Sequence, residues 1–128
     1  MAKIIHLDTH VVVWLYSGNL DLLPASVIDA IETNGVEFSP IVELELQYLY
    51  EIKRLSVKPR TIIQALEDEI GLKRCRSGLG EIVSEAMKIS WTRDPFDSLI
   101  VSCASINGCR LVTKDELILK HYKDAQWT

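Results

Sequence analysis

Three observations predict an α/β fold with a short, mainly parallel central sheet flanked by helices. Short apolar runs, Lys3-Ile4-Ile5-His6-Leu7, Val36-Glu37-Phe38 and Arg110-Leu111-Val112-Thr113, alternate with longer helical segments. Helix-start pairs, Ser39-Pro40 and Asp94-Pro95, place a capping side chain before a Pro at the first helical position. Acids stand just after two of the runs, at Asp8 and Asp115. In parallel α/β sheets such strand ends converge on the ligand-binding edge. The length of 128 residues suits one compact domain spanning 1–128.

Taken in order, the first run is a buried strand ending at Asp8. A helix over Thr9–Tyr16 follows and is closed by Ser17-Gly18-Asn19. Pro24 opens an amphipathic helix to about Glu32, stopped by Asn34-Gly35. Ser39-Pro40 starts a helix predicted to reach about Leu55. Residues 60–70 and 79–89 read as two more helices, separated by Gly71, Ser77, Gly78 and Gly80. Asp94-Pro95 begins an apolar helix to about Asn107, ended by Gly108. A strand over 110–113, a short helix Glu116–His121 and a last strand Ala125-Gln126-Trp127 complete the chain.

Composition excludes several classes. A hydrophobic fraction of 48% with 25% charged residues is that of a globular domain, not a disordered chain. No run approaches the roughly 20 apolar residues needed to span a bilayer. The N-terminus enters a strand without signal-peptide organisation, so a cytoplasmic protein with no membrane contact is expected. Cys75, Cys103 and Cys109 are odd in number and lack C-x-x-C spacing, which argues against a disulfide framework or a zinc site. Cys103 reads as a small buried hydrophobe. The net charge of −4 does not suit a generic nucleic-acid-coating protein. Its distribution is uneven: residues 1–52 hold eight acids and one Lys, whereas 53–76 hold seven basic residues and three acids. Such a pair of regions suits a cation and a phosphate backbone, or simply solvated helical surface.

The acids are the candidates for chemistry. Asp8 reads either as the N-cap of the next helix or as a site residue, with Thr9 able to orient it. In the helix after Ser39, Ile41, Leu44, Tyr48, Leu49, Ile52 and Leu55 share one face at 100° per residue. Glu45 falls within that face and Glu43 opposite it, so Glu45 needs a cation, a hydrogen-bond partner or a raised pKa. Asp97 shares a face with Ile100, Val101 and Ala104 on a helix apolar around most of its circumference. The helix N-terminus favours an acid there by about 0.3–1 kcal/mol, which does not explain one on a buried face. Asp94 caps the same helix and is an additional candidate. Asp115 alone is an ordinary turn acid, with Thr113 placed to hydrogen-bond a carboxylate. Lys114 is either a surface residue or a phosphate contact. His6, His10 and His121 lack metal-ligand spacing, and His6 reads as a strand residue with a satisfied ring nitrogen. No phosphate-binding Gly-rich loop or nucleophile-elbow motif is present. Like charges gathered at one sheet edge require a compensating cation.

Four segments together resemble the PIN-domain family, most closely the VapC-like ribonucleases of type II toxin–antitoxin systems. They are Leu7-Asp8-Thr9-His10-Val11-Val12-Val13-Trp14-Leu15, Ser39-Pro40-Ile41-Val42-Glu43-Leu44-Glu45-Leu46, Arg93-Asp94-Pro95-Phe96-Asp97-Ser98-Leu99-Ile100-Val101 and Leu111-Val112-Thr113-Lys114-Asp115. Val42 departs from the hydroxyl residue common at its place, and Ser98 replaces a frequent Arg; the acids are intact. The resemblance implies a Mg²⁺- or Mn²⁺-dependent endoribonuclease leaving 5′-phosphate and 3′-hydroxyl ends. It makes Asp8, Glu45, Asp97 and Asp115 the catalytic and metal-ligating quartet, with Asp94 adjacent and Thr9 and Thr113 auxiliary. It also implies RNA as substrate and a small cognate antitoxin as partner. Trp14 and Leu15 are either core residues or part of a homodimer surface.

Two other classes compete. A non-catalytic interaction module on the same fold would keep the acids for structure. A phosphatase with Asp8 as nucleophile is disfavoured, because Asp8-Thr9-His10 lacks the second Asp of a D-x-D-x-T pattern.

Overall fold

The computed structural model describes residues 3–128 as an α/β domain. The expectation that Met1 and Ala2 lead straight into a strand lies outside the described residues. Strands β1 (Ile4–Leu7), β2 (Gly35–Phe38), β3 (Lys73–Arg74), β4 (Arg110–Val112) and β5 (Ala125–Gln126) form one sheet in the order β3-β2-β1-β4-β5. Every pairing is parallel. Helices α1 (Thr9–Ser17), α2 (Ala25–Thr33), α3 (Pro40–Glu51), α4 (Pro59–Ile70), α5 (Leu79–Ala86), α6 (Pro95–Ile106) and α7 (Glu116–His121) complete the chain with a 3₁₀ turn at Leu20–Leu22.

The strand order dictates where a ligand fits. From β1 the chain first builds outward to β2 and β3. It then returns to place β4 and β5 on the other side. The reversal leaves a crevice beyond the carboxyl ends of β1 and β4, the usual ligand position in open parallel sheets. Asp8 directly follows β1, and Asp115 lies three residues beyond β4.

Burial fixes the register. His6 pairs with Glu37 and Leu111, while Leu7 pairs with Val112. Ile5, His6 and Leu7 are all buried, so β1 is covered on both faces, as parallel sheets require. Ile5, Leu7, Phe38, Leu46, Leu111 and Ile118 belong to the main core. A smaller cluster of Cys75, Ile82 and Cys103 lies where α5 packs on α6.

Helix α3 differs from its expected form in two ways. It ends at Glu51 rather than near Leu55, because Lys53 adopts a positive φ of 65° and the N–H groups of Arg54 and Leu55 both turn back to the Leu49 carbonyl. Its core face is also different. Ile41, Val42 and Leu46 are buried, whereas Leu44, Tyr48 and Ile52 are 57, 51 and 43% exposed. The apolar residues cover more than one stripe, and periodicity alone does not choose between them; contact with the sheet does. Glu45 consequently sits at the border of the buried face rather than in its middle. Strand β3 was not expected, since Lys73-Arg74 has no apolar residue to mark it. Trp14 and Leu15 are half-buried against the core, and Trp14 packs on Trp127 with ring centroids 5.8 Å apart.

The reassigned face is testable by urea unfolding. Leu46→Ala should lower stability by about 2–5 kcal/mol. Leu44→Ala should change it by less than about 0.5 kcal/mol. Equal losses would contradict the observed orientation of α3.

Candidate active site

The site is assembled by hydrogen bonds that join strand ends to helix starts. The Asp8 backbone N–H donates to the Val112 carbonyl at 3.0 Å, holding the end of β1 against β4. The Asp8 Oδ1 accepts from the Thr9 N–H at 2.8 Å, so Asp8 does cap α1. Its Oδ2 accepts from the Thr113 hydroxyl at 2.6 Å. The same Thr113 oxygen accepts from the Asp115 backbone N–H at 3.0 Å. One buried hydroxyl therefore fixes the carboxylate after β1 and the turn after β4 together. Asp115 in turn caps α7 by accepting from the Ile118 N–H at 2.9 Å.

The helices bring two more acids. The fully buried Thr9 donates its hydroxyl hydrogen to the Glu45 Oε1, linking α1 to α3. Glu43 turns away and accepts a two-pronged contact from Arg74. Asp94 caps α6 by accepting from the N–H groups of Phe96 at 2.9 Å and Asp97 at 3.3 Å. That cap fixes the first turn of α6, which carries Asp97. Asp8, Glu45, Asp97 and Asp115 all line one cleft of about 330 Å³, and Asp94 stands at the neighbouring helix start. Larger clefts of about 1100 and 670 Å³ lie elsewhere and contain none of these acids.

The cleft is electrostatically strained. Burial raises the Asp97 carboxyl to about 7, and Asp94, Asp8, Asp115 and Glu45 push it the same way. Burial also raises Glu45, against the opposing hydrogen bond from Thr9. Asp8 is raised by burial despite the hydrogen bonds from Thr113 and Thr9. Five acids stand against Lys114 at the cleft wall, so the cleft favours protons or an added cation. An all-oxygen donor set suits a hard divalent cation. No three of these carboxylates bring oxygens within 4.8 Å of one another. The spacing therefore suits a cation that retains part of its water shell.

His10 and Trp14, to which the sequence assigned no site role, line the same cleft, as does Lys114, read there as either a surface residue or a phosphate contact. His10 and Trp14 stand one turn apart on α1, with ring centroids separated by 5.9 Å. The Lys114 Nζ lies 5.6 Å from the centroid of a Trp14 ring. The i, i+4 relation of His10 and Trp14 on α1 was the available signal. His6 also differs from expectation. Neither ring nitrogen has a hydrogen-bond partner, and burial lowers the ring to about 4.

An acid-lined crevice at the switch point of a parallel sheet defines the class as an α/β domain whose ligand crevice presents hard oxygen donors. The PIN-domain family model matches residues 5–124, and the chain belongs to that family. Among solved structures, it resembles VapBC2 from Rickettsia felis, crystallised with a DNA fragment from the promoter. The TM-score is 0.68 at 17% identity, covering 97% of this chain and 98% of that one. DNA-bound VapBC from Salmonella typhimurium gives 0.60 at 20% identity over the full length of both chains. VapBC-1 from nontypeable Haemophilus influenzae gives 0.58 at 18% identity, covering 98% of this chain and 97% of that one. Among curated proteins nothing matches significantly.

The strain predicts a pH dependence in the metal-free protein. The folded Asp97 holds its proton up to about 7, against about 4 when unfolded. Between those values the folded state binds more protons at Asp97, so its contribution to stability falls as pH rises from about 4 to 7, while buried His6, lowered to about 4, acts in the opposite sense. In thermal unfolding in excess EDTA, Asp97→Asn should therefore shift the slope of stability against pH in the positive direction. An identical slope in the variant would contradict the assignment.

Proposed function

We propose that this chain is a divalent-metal-dependent endoribonuclease that hydrolyses RNA phosphodiester bonds, acting as the toxin of a type II toxin–antitoxin pair. The observation that carries the reading is the shared cleft of Asp8, Glu45, Asp97 and Asp115 within a PIN domain. The VapBC folds are consistent with it. Mg²⁺ or Mn²⁺ would be held by these four carboxylates, with Asp94 adding negative charge from the helix start. When bound, such an ion stabilises charge on phosphoryl oxygens and makes a coordinated water more acidic.

The protein's own residues supply orientation and charge. Thr113 and Thr9 hold Asp8 and Glu45 in fixed rotamers, so little reorganisation is needed when a cation arrives. The Lys114 ammonium at the rim offsets the acids and gives the RNA backbone a cationic contact. The exposed His10 offers a further hydrogen bond from the same wall. The products are 5′-phosphate and 3′-hydroxyl ends.

The surface supports protein partners. Leu44, Tyr48 and Ile52 form an exposed apolar stripe along α3, and Tyr48 stacks toward Phe96, beside Asp97, with centroids 6.0 Å apart. An antitoxin segment laid on this stripe would bring a basic side chain to the acids. Leu79, Val83 and Met87 form a second exposed stripe on and just beyond α5 that suits a homodimer. Light scattering on the purified chain should report a dimer at micromolar concentration; a monomer defeats that part. A cytoplasmic setting fits this pairing, and among the described residues no helix is long and apolar enough to cross a membrane.

Protein freed of partners and incubated with a varied RNA pool should cleave in Mn²⁺ and stop in excess EDTA. Asp8→Asn/Asp97→Asn should reduce cleavage to background, and Thr113→Val should lower it by about 10–100-fold. Cleavage that persists in EDTA or in the double variant refutes the nuclease reading. Binding of an antitoxin without any cleavage would favour a non-catalytic interaction module.

A further inference from the structure

A second group of ligand atoms lies on the sheet away from the four acids. His6 and Glu37 are register partners on adjacent strands and point to the same face. The His6 Nε2 lies 3.6 Å from the Glu37 Oε1. Cys75 immediately follows β3 and is held to β2 by its N–H bond to the Phe38 carbonyl at 2.8 Å. One donor atom from each of His6, Glu37 and Cys75 falls within 4.8 Å of the others. Among the described residues this is the only group of three or more His, Cys, Asp or Glu side chains with that proximity.

The unexplained feature is His6. Its side chain is 1% exposed, and neither ring nitrogen has a hydrogen-bond partner. A buried unpaired imidazole is costly and calls for a partner. The donor aimed at Glu37 and Cys75 meets the pair that would complete a metal site. Asn107 donates to the Cys75 sulfur at 3.4 Å, and that sulfur also meets the Ser77 hydroxyl oxygen at 3.5 Å, which orients the side chain. The open cleft of about 1100 Å³ is lined by both Glu37 and Cys75, giving an ion a path from solvent and a place for a water ligand.

We infer that His6, Glu37 and Cys75 form a second metal site, for a borderline-soft divalent cation of the Zn²⁺ type. One imidazole nitrogen, one carboxylate oxygen and one thiolate suit Zn²⁺ and disfavour Mg²⁺. Bonds of about 2.0–2.3 Å in tetrahedral geometry set ligand atoms roughly 3.3–3.8 Å apart. The His6–Glu37 separation already meets that spacing, and a Cys75 donor atom lies within 4.8 Å of both. Water completes the shell from the cleft side. The ion pins β1, β2 and the end of β3 together, three segments joined on this face otherwise by backbone hydrogen bonds. Cysteine count and spacing concealed the site because each ligand comes from a different strand or strand end.

The test uses the full chain, stripped of metal and titrated with Co²⁺ and then Zn²⁺. One Co²⁺ per chain should bind with a thiolate-to-cobalt charge-transfer band that Zn²⁺ abolishes and excess Mg²⁺ does not. Cys75→Ser should remove the band, His6→Gln should weaken binding at least about tenfold, and Asp97→Asn should leave both unchanged. Circular dichroism establishes that each variant is folded. In the unaltered protein, Zn²⁺ should also slow alkylation of Cys75, located by peptide mapping. Absence of the band, its survival in folded Cys75→Ser, or alkylation of Cys75 unaffected by Zn²⁺ overturns the inference. None of these readouts depends on nuclease activity.

Discussion

Negative charges brought together in a half-buried cleft repel one another, and the fold must hold them there before any ligand arrives. The Thr113 hydroxyl is the central device. It donates to Asp8 and accepts from the backbone of Asp115, so the ends of two adjacent parallel strands share one oxygen. Thr9 repeats the device between α1 and Glu45. Hydrogen bonds to carboxylates are worth more than those between neutral groups, which lets two hydroxyls offset part of the repulsion. Asp97 is raised to about 7, by burial first and by the neighbouring acids second. In the proposed reading a divalent cation relieves this repulsion, so preorganisation of the acids and affinity for the ion would have one physical origin.

The helix caps add to the same arrangement. Asp8, Asp94 and Asp115 each accept backbone N–H groups at a helix start. A capping role and a site role are therefore not alternatives here. Capping anchors one carboxylate oxygen and thereby directs the side chain, and the positive end of the helix steadies its charge. Asp94 shows the division of labour, since its cap sets the first turn that delivers Asp97 to the cleft.

Much of this was legible in the sequence because the signals were local. Ser39-Pro40 and Asp94-Pro95 marked helix starts to the residue, and short apolar runs located β1, β2 and β4. Parallel order followed from the alternation of elements. What failed depended on tertiary contact. The buried side of α3 was misjudged because its apolar residues surround more of the helix than the core can cover. Strand β3 has only Lys73 and Arg74 and owes its existence to pairing with β2. His10, Trp14 and Lys114 were seen as separate residues, and only the fold makes them walls of one cleft. The grouping of His6, Glu37 and Cys75 joins residues remote in sequence and has no spacing rule to reveal it.

Two positions along β1 and its end thus carry different demands. Its carboxyl end presents hard oxygen donors, and His6, two residues earlier, turns an imidazole toward a carboxylate and a thiol. Hard and soft donors kept apart in this way favour different cations without competition. The central claim concerns the oxygen cluster, and a crystal grown with Mn²⁺ tests it most directly. Anomalous scattering should place manganese among Asp8, Glu45, Asp97 and Asp115. Manganese located elsewhere, or this cleft occupied only by water at saturating Mn²⁺, would contradict the account.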